Sequence, residues 1–221
     1  MNLYTIALGV FGLLIPQIQN QSEPELMMAG WLQPGDVIGK TGDTWLGLYA
    51  TKEGYELMQT TITVNDSEWA DGIMVKYVNV NRHGEPIFLI RGIPSLSEGL
   101  VRGSFYGKTE ITPRLGLRLK LDDLYDLLAV NDTQRDGGRI FRITLKKGSV
   151  YQIIASIDDM DPEGTATVLW AGDLDRDGKL DHFFYFSDGK TFRGGYTLFL
   201  SSQADEGKLV KRVVSFSVQG E

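Results

Sequence analysis

Hydrophobic side chains recur along this sequence with a period of two. In "LGLRLKL", Leu115, Leu117, Leu119 and Leu121 fall on one side of an extended chain, while Arg118 and Lys120 fall on the other. "RIFRITLKKG" repeats the pattern, with Phe141, Ile143 and Leu145 alternating with Arg142 and Thr144. "VVSFSVQG" does so again through Val214, Phe216 and Val218. A helix would scatter each of these sets around its circumference, so the runs read as half-buried strands.

Turn signals fall between the runs at hairpin spacing: "KEG" at 52–54, "NRHGEP" at 81–86, "YGK" at 106–108, "RDGG" at 135–138, "KKG" at 146–148 and "SDGK" at 187–190. With 26 Gly and 7 Pro in 221 residues, the composition suits many short strands better than a few long helices. The fold class expected is all-β, with antiparallel sandwich-like or barrel-like lobes and little helix. The one stretch with helical spacing is "LDDLYDLLAV", 121–130, where a short helix would turn Leu124, Leu127 and Leu128 inward. A soft boundary at "EITPRLG", 110–116, divides an N-terminal β lobe, 23–112, from a C-terminal β lobe, 113–221.

The first 22 residues differ from the rest. Leu3 to Ile15 is an apolar run of signal-peptide length, too short to span a bilayer as a helix, and no side-chain charge precedes Glu23. The expectation is a signal peptide over 1–22 and a secreted or periplasmic protein. A buried first strand or helix is the alternative, because the segment lacks a basic start and an Ala-x-Ala cleavage site.

Charge and composition exclude several functions. A formal net charge of -7 disfavours binding to nucleic acid. The chain has no cysteine, which removes disulfides, thiolate nucleophiles and cysteine zinc sites. Its two histidines, His83 and His182, lie far apart, and each reads as a surface or strand residue with no catalytic partner. The chain is therefore read as a non-enzyme.

The segment "WAGDLDRDGKLDHFFYF", 170–186, carries four aspartates in nine positions, in the pattern D-x-D-x-D-G-x-x-D. Asp173, Asp175 and Asp177 occupy positions one, three and five of a calcium loop, where each offers a carboxylate oxygen. Gly178 stands where the chain must turn sharply. Lys179 at position seven contributes only its backbone carbonyl, so its side chain is free to point into water. Asp181 at position nine ligates directly or through water. These five groups favour Ca2+, a hard cation that takes 6 to 8 oxygens, over softer metals. The alternative is a solvated acidic turn that binds nothing. An EF-hand is excluded, because position twelve is Phe184 rather than a bidentate Glu, and the flanks "TATVLW" and "HFFYF" read as strands.

The same stretch resembles the calcium loop of FG-GAP and VCBS repeats, in which an aromatic residue and a Gly precede the first Asp and a hydrophobic strand follows the last. That resemblance covers Val168 to Phe186. It implies calcium ligation by Asp173, Asp175, Asp177, the Lys179 carbonyl and Asp181. Those repeats occur in tandem and this chain carries one good copy, so neither a propeller nor integrin-like ligand binding is implied. The segment "YTLFLSSQADEGKLVKRVVSF" is also similar to the C-terminal part of small secreted bacterial proteins bearing this loop.

Upstream, "DMDPEGTAT" places Asp159, Asp161, Glu163 and Gly164 in similar positions, with Thr167 in place of the last Asp. A second ion site, a carboxylate lent to the first site, and an ordinary acidic turn are all consistent with it. The overall expectation is a calcium-binding secreted or periplasmic protein with a structural ion. The competing expectation is a calcium-supported carbohydrate-binding module or hydrolase accessory domain. Its partner would be a glycan stacked on aromatics such as Trp45, Tyr49, Tyr55, Trp69 and Tyr77, although strand aromatics more often pack a core; another protein is the other partner expected.

Overall fold

The computed structural model describes residues 23–69, 71–112, 115–133, 139–158, 165–187 and 194–218. The proposed signal peptide and all of the 159–167 echo except its last three residues lie outside them. The described residues form fifteen strands and a single 3-10 turn at Pro34–Asp36, with no α-helix among them. The all-β expectation holds.

Strands are numbered in chain order. The N-terminal half contributes β1 (Glu25–Met27), β2 (Gly30–Leu32), β3 (Thr44–Thr51), β4 (Gly54–Glu68), β5 (Met74–Val80), β6 (Phe88–Arg91) and β7 (Gly99–Glu110). Next come β8 (Leu117–Lys120), β9 (Leu124–Thr133), β10 (Arg139–Lys147) and β11 (Val150–Asp158). The last four are β12 (Thr165–Asp173), β13 (Asp181–Ser187), β14 (Gly194–Leu200) and β15 (Lys211–Val218).

An 11-stranded antiparallel sheet follows the path β1-β6-β3-β4-β7-β12-β13-β14-β15, with β5 paired to the far half of β4 and β2 to β5. Its two ends meet, since β1 lies against β15, and the path curls into a nearly closed barrel. Strands β8 to β11 form a separate 4-stranded meander that packs on the barrel wall. The sequence boundary near 110–116 marks where the chain leaves the large sheet. That sheet resumes at β12, which pairs with β7, so it contains strands from both sides of the boundary.

Two cores follow from this layout. The barrel lumen is filled by Trp45, Leu57, Phe88, Trp170, Phe183 and their neighbours. The second core lies between barrel wall and meander and holds Leu127, Ile143, Leu145, Val168, Phe184 and Phe199. The alternating residues picked out in β10 behave as expected, with Phe141, Ile143 and Leu145 all buried.

The stretch 121–130 is a correction. It is not helical: Leu124–Thr133 is strand β9, paired with β8 on one side and β10 on the other. Tyr125, Leu127 and Ala129 point into the second core, while Leu124 and Leu128 are exposed. Leu124, Leu127 and Leu128 satisfy a helical spacing, but β8 pairs with Leu124–Leu127 and β10 with Asp126–Thr133, so the extended chain finds a partner strand along its whole length, and that pairing decides.

Strand β12 contributes side chains to both cores. Ala166 and Val168 face the second core. A register shift between Val168 and Trp170 reverses the alternation, and Trp170 enters the lumen. Gly172 follows where the backbones crowd: a Cβ there would lie 2.3 Å from the Arg102 carbonyl oxygen and 2.5 Å from the Trp170 ring. Only glycine allows β7 and β12 to approach this closely before the chain enters the acidic loop.

Candidate metal centre

The acidic loop joins the end of β12 to the start of β13, with Gly172 opposite Asp181 in the register. Two residues within it have left-handed backbones, Arg176 at φ 64° and Gly178 at φ 83°. Gly178 adopts that conformation freely, whereas Arg176 bears a steric cost of about 1–2 kcal/mol. The Arg176 guanidinium is anchored across the loop between β6 and β7. It donates to the Leu100 carbonyl at 2.9 Å, the Ser97 carbonyl at 3.0 Å and Ser97 Oγ at 3.0 Å. The reversals fold the segment back on itself and gather the alternate aspartates.

Carboxylate oxygens of Asp173, Asp175 and Asp177 all lie within 4.8 Å of one another. A calcium ion sits about 2.3–2.6 Å from each oxygen ligand, so two of its ligands stand no more than about 5 Å apart. The three carboxylates meet that limit, and the group can hold a metal ion. Asp173 is the buried member, Asp175 is half-buried and Asp177 is the outermost.

Local donors hold each carboxylate in place. The Gly178 amide donates to both oxygens of Asp173 at 3.2 Å. The Lys179 amide donates to Asp177 Oδ1 at 2.9 Å, and its ammonium stands 3.7 Å from Asp177 Oδ2. Arg102 reaches Asp173 Oδ2 at 3.3 Å while also gripping Asp122 with two bonds. The Ser202 hydroxyl donates to Asp175 Oδ2. Burial pushes the Asp175 carboxyl above the ordinary carboxylate range; the charges of Asp177 and Asp173 add to this, and the Ser202 hydrogen bond opposes it. A cation here would relieve that burden directly.

Asp181 lies outside the group of three. It is fully buried, with Oδ2 accepting from the Leu174 amide at 2.7 Å. Its Oδ1 accepts from the Ser201 amide at 2.7 Å and from Ser201 Oγ at 3.0 Å. Burial drives its carboxyl well above the ordinary range, and the charge of Asp175 adds to the shift. Ser201 Oγ also contacts Asp177 Oδ1 at 2.9 Å, so one hydroxyl links positions five and nine of the loop.

Ser201 and Ser202 were not visible in sequence as site residues. They lie more than twenty residues after the loop, beyond β14, and "SSQ" carries no motif. They also help to line a hollow of about 320 Å³ with Tyr125, Lys147, Lys179 and Lys208, which keeps that side of the loop open to water.

His182, next in the chain, is fully buried and stacked at 6.1 Å on Phe184. Neither ring nitrogen has a partner among the described residues, and burial takes its pKa down to about 3. His83 is exposed. Of the aromatics considered for a sugar platform, Trp45 and Tyr49 are buried, with Trp45 under the Arg91 guanidinium at 4.3 Å. Tyr55, Trp69 and Tyr77 are half-buried.

Fold and loop together define an all-β barrel protein with an acidic strand-loop-strand unit able to hold a cation. Comparison with protein family models, curated proteins and solved structures gives no match.

Proposed function

We propose that this chain is a calcium-binding protein of the extracytoplasmic space, secreted or periplasmic, in which the ion is structural rather than catalytic. The observation that carries the reading is the convergence of the Asp173, Asp175 and Asp177 carboxylates within 4.8 Å on one loop. Ligands that are all oxygen, two of them at least partly open to solvent, suit calcium better than zinc or copper. The Lys179 carbonyl is the fourth ligand, and Asp181, whose oxygens are held by Leu174 and Ser201, contributes through a water that helps to complete the shell. Asp181 also ties the loop to Ser201, so occupation of the site would stiffen β12, β13 and the turn after β14 as one unit.

The resemblance to FG-GAP and VCBS calcium loops supports this reading through the same residues. Affinity should be low, with a Kd of about 10⁻⁴–10⁻³ M, as in extracellular modules, because no bidentate Glu closes the loop. Such affinity is useful where calcium is millimolar. At 1 mM calcium, linkage then gives about 0.4–1.4 kcal/mol of stabilisation.

Calorimetric titration with calcium, paired with thermal melts in calcium and in chelator, tests the proposal. Binding heat and a melting temperature that rises with calcium are expected, and both should vanish in Asp175→Ala. Absence of heat and of any shift in the wild-type chain would overturn it.

A further inference from the structure

At the end of β12 away from the acidic loop, residues on the lumen side of the sheet line an opening. This opening forms a cleft of about 770 Å³, within the range that holds small ligands, in a place where β-barrels commonly carry them. The residues of β12 that face it, Thr165, Thr167 and Leu169, are opposite in facing to Ala166 and Val168, which serve the second core. Tyr106 of β7, Tyr185 of β13 and Tyr196 of β14 form its aromatic wall.

Three features describe the ligand that would fit. The first is the aromatic wall. Tyr196 is backed by Phe183 at 5.8 Å and Phe216 at 6.2 Å, and Tyr185 leans on it at 5.0 Å, so both rings are held in place. Tyr106 makes an edge contact with Tyr55 at 6.0 Å and is 55% exposed. A large ring left this open on a rigid strand is a surface on which another ring can stack.

The second feature is the pair of threonines, Thr165 and Thr167. Elsewhere the lumen-facing positions of β13 and β14, such as Phe183, Leu198 and Leu200, are apolar and bury themselves. Neither threonine side chain makes a hydrogen bond among the described residues, so two hydroxyls stay available in a partly apolar cleft. The third is charge. Glu85 and Lys108 line the cleft with one charge of each sign, both exposed and neither in an ion pair among the described residues. A carboxylate and an ammonium facing the same space can serve a ligand rich in hydroxyls as acceptor and donor, without selecting for net charge.

We infer that the barrel mouth is a binding site for a short neutral saccharide, stacked on Tyr106 and hydrogen-bonded by Thr165, Thr167, Glu85 and Lys108. The site differs from the platform expected from sequence, since Trp45 and Tyr49 are core residues. It does not depend on the calcium reading, because cleft and acidic loop occupy opposite ends of β12.

The test is a binding screen by saturation-transfer NMR and calorimetry with neutral hexasaccharides: β-1,4- and β-1,3-linked glucans, an α-1,4-glucan, a xylan, a mannan and an N-acetylglucosamine oligomer. At least one should bind. Its affinity should fall tenfold or more in Tyr106→Ala and fall measurably in Thr167→Val, with both variants keeping the wild-type melting profile. Chelator and Asp175→Ala should leave the affinity unchanged, which separates this site from the metal centre. Failure of every hexasaccharide to bind would overturn the inference, as would affinity that survives Tyr106→Ala. Binding restricted to an apolar dye such as anilinonaphthalene sulfonate would also overturn it, by showing a merely greasy cleft.

Discussion

The two ends of β12 treat polar groups in opposite ways. At the Asp173 end, carboxylates, amides and hydroxyls bond to one another across three chain segments: the loop itself, the Ser97–Leu100 stretch and the Ser201–Ser202 turn. At the Thr165 end, threonine hydroxyls and a Glu and Lys face an open cleft without such partners. One strand thus ends in a strut at one side and in an available surface at the other. Substitutions at the first end should change stability, and those at the second should change binding while leaving stability nearly untouched.

Asp181→Ala provides the largest break. It leaves the Leu174 and Ser201 amides without an acceptor in a buried site, while the Ser201 hydroxyl keeps Asp177 Oδ1. At about 1–3 kcal/mol for each unsatisfied buried group, a loss of about 4 kcal/mol is expected from chemical denaturation. Asp175→Ala, at the half-buried position, should cost far less in the absence of calcium. Equal losses in the two variants would remove the distinction between the anchor and the carboxylates that gather the ion.

His182 gives the acid limb of the same region. Its folded pKa of about 3 lies below the ordinary value of 6.5, so the unfolded chain binds the extra proton first as pH falls. The stability contributed by the neutral ring is complete above about pH 6.5 and is lost progressively toward pH 3, amounting to about 3 kcal/mol lost by pH 4. The raised carboxyls of Asp175 and Asp181 act in the opposite sense, since acid relieves the cost of burying their charge. Comparison with His182→Phe isolates the imidazole. The variant should lose less stability than wild type between pH 6.5 and pH 4, as measured by denaturant midpoints, and parallel curves would show that the ring finds a partner.

Much of this architecture is legible in the period-two pattern, because a strand with one buried face must alternate. The pattern serves β10 and β15 well and misleads at 121–130, where leucines also stand at helical spacing and only the neighbouring strands settle the choice. The acidic loop is legible as a run of aspartates around Gly178. What distinguishes Asp181 from the other three is not, since its role depends on Ser201, twenty residues away, and on burial produced by β14. The cleft tyrosines were invisible for a related reason: Tyr106, Tyr185 and Tyr196 come from three strands and share a face only after the barrel closes.

A smaller break lies at Arg176. Arg176→Ala removes three hydrogen bonds to the Ser97–Leu100 segment yet keeps the cost of a left-handed backbone, so about 1–2 kcal/mol should be lost. Arg176→Gly removes the same bonds but relieves the backbone, and should recover part of that loss relative to Ala. If the Gly variant is no better than Ala, the turn is not strained at this residue and the guanidinium alone accounts for the effect.

The smallest expected effect on stability is the most discriminating at the other end of the strand. Thr167 sits in β12 between β7 and β13, with its backbone paired on both sides and its hydroxyl toward the cleft. Thr167→Val keeps the outline of the side chain and the β-branching that suits a central strand, so its stability should match wild type within about 0.5 kcal/mol. Saccharide affinity, by contrast, should fall, because a hydroxyl that no protein group uses is free to serve a ligand. A clear loss of stability in Thr167→Val would mean that the hydroxyl is already engaged within the fold, and the contrast between the two ends of β12 would collapse at its most exposed point.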